Sequence, residues 1–110
     1  TLARLVMLDT RRYRSAAVCG GGLQRPCEEL HAPGRTMLGR AQEQWLAKAL
    51  TSSGARWQVI GQQIPFAMVD REAGPAVSWH MDKWDGYPGS RDRLLALLER
   101  RGKKDTVILT

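Results

Sequence analysis

Three short apolar runs, separated by segments of helical periodicity, constrain the fold of this chain most strongly. Residues 3–9 (ARLVMLD) form a nearly continuous apolar run, which is typical of a strand buried on both faces of a parallel sheet. Residues 57–61 (WQVIG) and 106–110 (TVILT) predict a second and a third strand.

Two helices are predicted between these strands. The first covers residues 39–53, followed by Gly54 as its stop, and the second runs from Pro88 to about Arg101, with Gly102 as its stop. The predicted core stripes are Ala41, Trp45, Leu46, Ala49 and Leu50 in the first helix and Leu94, Leu95 and Leu98 in the second. Strand and helix thus alternate, which indicates parallel right-handed crossovers and an α/β fold.

The remaining segments, 16–36 and 62–86, are predicted to be loops, the first because it is rich in Gly and Pro. With 110 residues, 43% of them hydrophobic, the chain has the size of one ordinary domain. It begins at Thr1 and stops after TVILT, and we expect it to be a piece of a longer protein.

The charge is strongly positive and comes mainly from arginine. A formal charge of +6, with thirteen arginines against four lysines, favours anionic partners. No apolar run approaches the roughly 20 residues needed to span a bilayer, and no signal-peptide pattern is visible. The sequence therefore predicts no membrane span.

Familiar one-line enzyme motifs are absent. The sequence has no HExxH, CxxC, GxxxxGK[ST], GxSxG or GxGxxG pattern, and neither His31 nor His80 lies in a zinc-protease spacing. No enzyme class that these short motifs define can therefore be assigned to the sequence.

Asp9 is the first candidate for chemistry, because it follows the first predicted strand. Open parallel sheets bind ligands beyond the carboxyl ends of their strands, where an aspartate can hold a metal or a catalytic water. The alternative is that Asp9 caps a turn or pairs with Arg11 or Arg12. Arginines close to it could bind phosphate bidentately, although several of the thirteen must be solvated surface charges.

A second cluster lies in residues 78–91 (SWHMDKWDGYPGSR), a predicted loop before a helix. Asp82 and Asp85 are candidate metal ligands, although Asp85 also forms a turn signal with Gly86. His80 and Trp84 are candidate substrate-binding residues. The alternatives are that His80 is a hydrogen-bonded surface residue and that Trp84 staples the loop to the core.

Cys19 and Cys27 enclose GGGLQRP, a loop flexible enough to let the two sulfurs meet. A disulfide in an exported protein is the favoured interpretation. An intracellular origin would leave free thiols, and a metal site would need more ligands nearby.

Five segments in order, LDTRRYRS, RTMLGRAQEQWL, GARWQVIGQQIPFA, DKWDGYPGSRDRLLALL and TVILT, span nearly the whole chain. Together they resemble the carboxyl-terminal half of the alkaline phosphatase D (PhoD-like) family of metallophosphatases. The resemblance implies part of a four-layer α/β/β/α sandwich, a metal cluster of iron with calcium, and hydrolysis of phosphate monoesters and diesters outside the cytoplasm, in a secreted or periplasmic protein.

The resemblance also implies roles for single residues. Asp9 would lie at the metal crevice, and Arg11 and Arg14 of the DTRxYR motif would stabilise the site or meet phosphate. The loop between Cys19 and Cys27 resembles a cysteine insertion frequent in the family. Arg100 and Arg101, in contrast, are expected to be solvated at a helix end.

The departures from the family pattern concern the metal ligands. In the family a GD-x-H motif follows the strand that corresponds to TVILT, and this chain ends one residue before it. The family's amino-terminal half, with a cysteine, further aspartates, an asparagine and a metal-binding tyrosine, is absent too. The resemblance therefore implies an incomplete fragment, inactive alone, of a parent enzyme that acts on a phosphate ester together with the remaining part of its chain.

Two other classes of function remain open at this point. A basic nucleic-acid-binding module would explain the charge and the tryptophans, although no recognised motif supports it and the tryptophans fall on predicted core faces or in one loop. An inactive structural or interaction fragment is the other, because its sheet would have open edges for a partner to cover. Salt-sensitive binding to an anionic column without metal would favour the first, and metal-dependent ester hydrolysis by the parent would favour the family assignment.

Overall fold

The computed structural model describes residues 1–52, 54–100 and 105–110. Its strands are β1 (Ala3–Met7), β2 (Leu23–Gln24), β3 (Trp57–Gly61), β4 (Trp79–His80) and β5 (Thr106–Leu109). Its α-helices are α1 (Arg40–Ser52) and α2 (Pro88–Arg100), and short 3-10 helices cover Glu28–His31 and Trp84–Gly86. The predicted helix ends at Ser53, Arg101 and Gly102 lie outside the described residues. Within the described ranges, neither helix is long and apolar enough to cross a membrane.

The main sheet has the strand order β1-β3-β5, and both pairs of neighbours are parallel. In its register Val6 lies opposite Ile60, and Ile60 lies opposite Ile108. This arrangement confirms the α/β class and the three predicted strands, although β1 ends at Met7 and β5 at Leu109.

Both helices pack on one face of this sheet. Arg4 Nη1 donates a hydrogen bond of 2.7 Å to the Ala49 carbonyl, which ties α1 to β1. The core cluster joins residues of both helices to this face, and its members from the sheet and the helices are Val6, Leu8, Ile60, Leu46, Leu50 and Leu94. Leu95 and Leu98 are partly buried against it, which agrees with the predicted stripe of α2.

The opposite face of the sheet is apolar and open. Leu5, Met7 and Leu109 are 63%, 61% and 53% exposed, and Trp57 and Val107 share this face and are also exposed. The prediction that β1 is buried on both faces is therefore wrong for this chain. Its side chains alternate between the two faces, and the helices cover only one of them.

The core stripe of α1 is narrower than predicted. Leu46, Ala49 and Leu50 are buried, but Ala41 is exposed and Trp45 is 49% exposed. Successive helical residues are about 100° apart, so Trp45 projects well outside the arc that Leu46 and Leu50 share. Trp45 and Trp57 correct the expectation that the tryptophans fall on core faces or in one loop.

The two predicted loops pair with each other. β2 and β4 form a short antiparallel sheet, in which Leu23 lies opposite His80. A disulfide joins Cys19 to Cys27 on either side of β2, as predicted. Arg25, inside the disulfide loop, forms an ion pair of 2.6 Å with Glu72. The disulfide loop is therefore docked on the segment that carries His80.

Glu43 connects the two helices to the segment before α1. Its carboxylate accepts hydrogen bonds from Thr36 Oγ1 (2.5 Å), Ser90 Oγ (3.0 Å) and Arg93 Nη2 (2.9 Å). Burial raises the pKa of Glu43, but these hydrogen bonds outweigh it and leave the pKa below its ordinary value. The ionised carboxylate thus fixes Thr36, which in turn hydrogen-bonds Ser15.

The disulfide should contribute measurable stability. Replacing both Cys19 and Cys27 by serine in the full-length protein should lower the free energy of unfolding by roughly 2–3 kcal/mol, because a short cross-linked loop restricts the unfolded chain. Denaturant unfolding of the wild type and the double variant measures the difference. Peptide mapping that recovers both cysteines as free thiols from protein prepared under oxidising conditions would contradict the cross-link.

Candidate functional site

Asp9 lies just beyond the carboxyl end of β1, and its carboxylate closes a turn. Oδ1 accepts the backbone N–H groups of Arg11 (2.9 Å) and Arg12 (3.0 Å). These two hydrogen bonds, led by that from Arg12, hold the pKa of Asp9 below its ordinary value. Oδ1 therefore caps a turn, which was the alternative interpretation of Asp9. Oδ2 makes no hydrogen bond to another described residue, so it is the oxygen free for a ligand.

Two glutamines that sequence reasoning missed hold the backbone around Asp9. Gln42, in the first turn of α1, bonds both the N–H and the carbonyl of Asp9. Gln63, two residues after β3, bonds Leu8 and Thr10. The sequence feature that could have indicated Gln63 is the polar pair Gln62-Gln63 directly after an apolar strand.

The arginines of the DTR turn, which we define as residues 9–14, divide into two groups. Arg11 and Arg12 are exposed. Arg14 is half-buried, and its Nη1 donates a hydrogen bond of 2.6 Å to the carbonyl of Asp82. Arg14 therefore braces a neighbouring loop, while Arg11 and Arg12 present guanidinium groups to the surroundings.

That neighbouring loop, the WDGY loop of residues 79–87, is tied to the chain that leaves the DTR turn. Tyr87 Oη donates a hydrogen bond of 2.6 Å to the Ser15 carbonyl. Arg35 donates to the carbonyls of Ala16 and Gly86, each at 2.8 Å, and its guanidinium lies 4.7 Å from the centre of the Tyr87 ring. Burial raises the pKa of Tyr87, so its hydroxyl stays protonated as a donor at neutral pH.

Trp84 corrects a sequence-based assignment. It is fully buried, its Nε1 donates a hydrogen bond of 3.0 Å to Gln62 Oε1, and its ring meets Phe66 edge to face with centroids 5.1 Å apart. A side chain in this position presents no surface to a substrate. Trp84 staples the WDGY loop to the core, which was the alternative interpretation.

Asp85 is buried inside the same loop. It is 4% exposed, and its Oδ1 has no hydrogen-bond partner among the described residues. Burial raises the pKa of Asp85, although the Val69 N–H and the nearby Arg71, His80 and Arg91 act in the opposite direction. Next to it, Gly86 has no room for a side chain, because a Cβ would collide with the Met81 carbonyl. Asp85 is thus part of the interior of the turn.

His80 and Asp82 occupy the outer side of the WDGY loop. His80 Nδ1 lies 3.8 Å from Asp82 Oδ1, and both side chains are substantially exposed. In the described ranges of the chain, no group of three or more His, Cys, Asp or Glu side chains is placed to hold a metal ion. The candidate donors therefore amount to part of a metal site at most.

The arrangement suits binding of an oxyanion more than complete catalysis. Exposed Arg11 and Arg12 can donate bidentate hydrogen bonds to a phosphate or carboxylate. Asp9 beside these arginines offers one free carboxylate oxygen, and His80 and Asp82 present polar groups on the WDGY loop. A groove of about 360 Å³ lies elsewhere, between α1 and α2, and no predicted site residue lines it.

Comparison with known proteins covers the whole chain. The profile of the family described as PhoD-like phosphatase matches residues 1–110. The chain is 40% identical over 109 residues to alkaline phosphatase D of Bacillus subtilis (strain 168), covering 99% of this chain and 19% of that protein. A solved structure of PhoD superposes with a TM-score of 0.92 at 40% identity, over 99% of this chain and 21% of that one. The chain thus spans about a fifth of the length of these relatives, and it belongs to the PhoD-like phosphatase family.

Proposed function

We propose that this chain is part of a metal-dependent phosphoric ester hydrolase, acting as an alkaline phosphatase or phosphodiesterase. Membership in the PhoD-like phosphatase family supports a phosphatase function for the parent protein. The chain spans 19–21% of the relatives' length, and we assign the activity to the parent protein and not to these residues alone.

The observation that carries the proposal is the hydrogen bond from Arg14 to Asp82. It joins the DTR turn, at the carboxyl edge of the sheet, to the WDGY loop, where Asp82 and His80 are exposed. In this arrangement Arg11 binds the phosphoryl oxygens, and Arg14 orients the loop. Asp9 and Asp82 each offer a carboxylate oxygen to the site between the DTR turn and the WDGY loop. His80 contacts the substrate or exchanges a proton with it.

Calcium and iron are proposed as the parent's metals on the basis of family resemblance alone. The described residues do not fit a complete site, because Asp9 has one oxygen committed to the turn and Asp85 is buried. Most of the ligands must come from the remaining part of the parent chain. Bound metal would polarise the phosphoryl group and supply a nucleophile.

The open face of the main sheet supports the four-layer sandwich as the parent's architecture. Five exposed apolar side chains on one sheet face would be costly in water, and a second sheet from the parent could bury them together. The proposed partner of this face is therefore the remaining part of the same chain.

The disulfide supports an extracytoplasmic location, because such bonds persist in oxidising compartments. We propose that the parent is secreted or periplasmic.

Replacing Arg11 by alanine in the parent should impair hydrolysis much more than replacing Arg100. Arg11 is exposed beside Asp9, whereas Arg100 is exposed at the end of α2, where the helix dipole favours a positive charge. We expect kcat/KM for a chromogenic phosphate ester to fall by about 100-fold or more in Arg11→Ala, as is typical when an oxyanion donor is removed. Equal losses in the two variants would refute the assignment of Arg11.

The isolated 110-residue chain should be inactive. Calcium alone takes about 6–8 oxygen ligands, and the exposed donors described above cannot supply them. We expect negligible hydrolysis of p-nitrophenyl phosphate and its bis-ester by this chain with calcium and iron supplied. The parent should hydrolyse at least one of them and lose that activity on chelation. Robust metal-dependent turnover by the isolated chain would contradict the proposed division of the site.

A further inference from the structure

The end of β1 raises a problem of hydrogen bonding. The last ladder bond at this edge runs from the Leu8 N–H to the Gly61 carbonyl, at 2.9 Å. Four main-chain groups follow before the DTR turn closes: the Leu8 carbonyl, both groups of Asp9 and the Thr10 N–H. Main-chain groups that leave a sheet need other partners, because an unpaired one costs free energy. Here all four bond to the side-chain amides of Gln42 and Gln63.

Gln42 acts as a substitute strand neighbour for Asp9. Its Oε1 accepts the Asp9 N–H at 2.8 Å, and its Nε2 donates to the Asp9 carbonyl at 2.9 Å. The same Nε2 donates to the Leu38 carbonyl at 2.8 Å, which anchors the amide to the start of α1. Both N–H donors of the amide and one lone pair of its oxygen are thereby used.

Gln63 holds the residues on either side of Asp9. Its Nε2 donates to the Leu8 carbonyl at 2.6 Å, and its Oε1 accepts the Thr10 N–H at 3.0 Å and the Thr10 hydroxyl at 2.8 Å. Thr10 is completely buried, so water cannot replace these contacts at its end.

We propose that Gln42 and Gln63, which we call the glutamine bracket, are positioning residues for the phosphoester site. They fix the backbone from Leu8 to Thr10, so Asp9 and the adjacent Arg11 extend from a defined main-chain position. Neither glutamine needs to touch the substrate. The inference rests on the proposed function for its catalytic consequence, and on the hydrogen bonds alone for its structural part.

Gln42→Met and Gln63→Met test the bracket in the full-length protein, because methionine keeps an unbranched chain but lacks the amide. We expect kcat for p-nitrophenyl phosphate or its bis-ester to fall about 10- to 100-fold in Gln42→Met, with a smaller change in KM, since small misplacements of a reacting group have effects of this size. A similar loss is expected in Gln63→Met, because its partners Leu8 and Thr10 are buried and water cannot replace the amide there.

Two other glutamines provide matched controls. Gln44 is exposed on α1, two residues from Gln42. Gln58 is buried in β3, and its Nε2 bonds the Ala55 carbonyl beside the opposite end of that strand. Gln44→Met should behave as the wild type, and Gln58→Met should lose stability without a selective loss of kcat.

Amide hydrogen exchange gives a readout that does not depend on activity. Peptides covering residues 8–12 should exchange faster in Gln42→Met and Gln63→Met than in either control. Unchanged exchange would overturn the bracket itself. If exchange is faster but kcat falls no more than in Gln58→Met, the glutamine bracket has only a structural role, and the positioning role is overturned. A wild-type parent that hydrolyses neither ester would overturn the proposed function and the catalytic role together, while the exchange data would still decide whether the bracket exists.

Discussion

The geometry of the candidate site depends on how β1 leaves the sheet. Up to Leu8 the strand is held by backbone bonds to β3, which are regular and independent of side-chain identity. Beyond Leu8 the same polar groups are held by side chains from α1 and from the segment after β3. From Asp9 onward, particular side chains and no longer regular backbone pairing determine the path of the main chain. A side chain can then be held rigidly at an edge that remains open to solvent.

The open apolar face of the same sheet limits the stability that these residues can reach by themselves. Both helices cover one face, and fully burying a side chain such as Leu5 or Met7 is worth roughly 1.5–3 kcal/mol. Several such residues are about half exposed on the other face, so covering it would add a free energy of unfolding on the order of a few kcal/mol, against about 5–15 kcal/mol for an ordinary domain. The segments proposed to complete the metal site would thus also complete the core.

Sequence reasoning succeeded where a feature repeats along the chain and failed where it depends on contacts between distant residues. The three strands of the main sheet follow from local apolar runs, the two α-helices from local periodicity, and the disulfide from a short glycine-rich interval, whereas β2 and β4 lie in segments predicted to be loops. Trp45 was misplaced because hydrophobicity does not fix the angular width of a buried stripe. Gln42 and Gln63 lie 33 and 55 residues from their main-chain partners Asp9 and Leu8, and no period relates such positions. Trp84 could be either a staple or a substrate contact until its burial against Phe66 was known.

The segments around the candidate site are hydrogen-bonded to one another. The disulfide loop pairs with β4 through β2 and accepts the Met81 N–H at the Gly22 carbonyl. Beyond Met81, the WDGY loop is held to the chain after the DTR turn through Arg14, Arg35 and Tyr87. The DTR turn begins at Asp9, whose backbone the glutamine bracket holds. Asp82 is thus supported from the side of the disulfide loop, whereas Asp9 is held by side chains of α1 and of the segment after β3. The two carboxylates proposed to act together are therefore positioned by separate supports, which the hydrogen bonds of Arg14, Arg35 and Tyr87 connect.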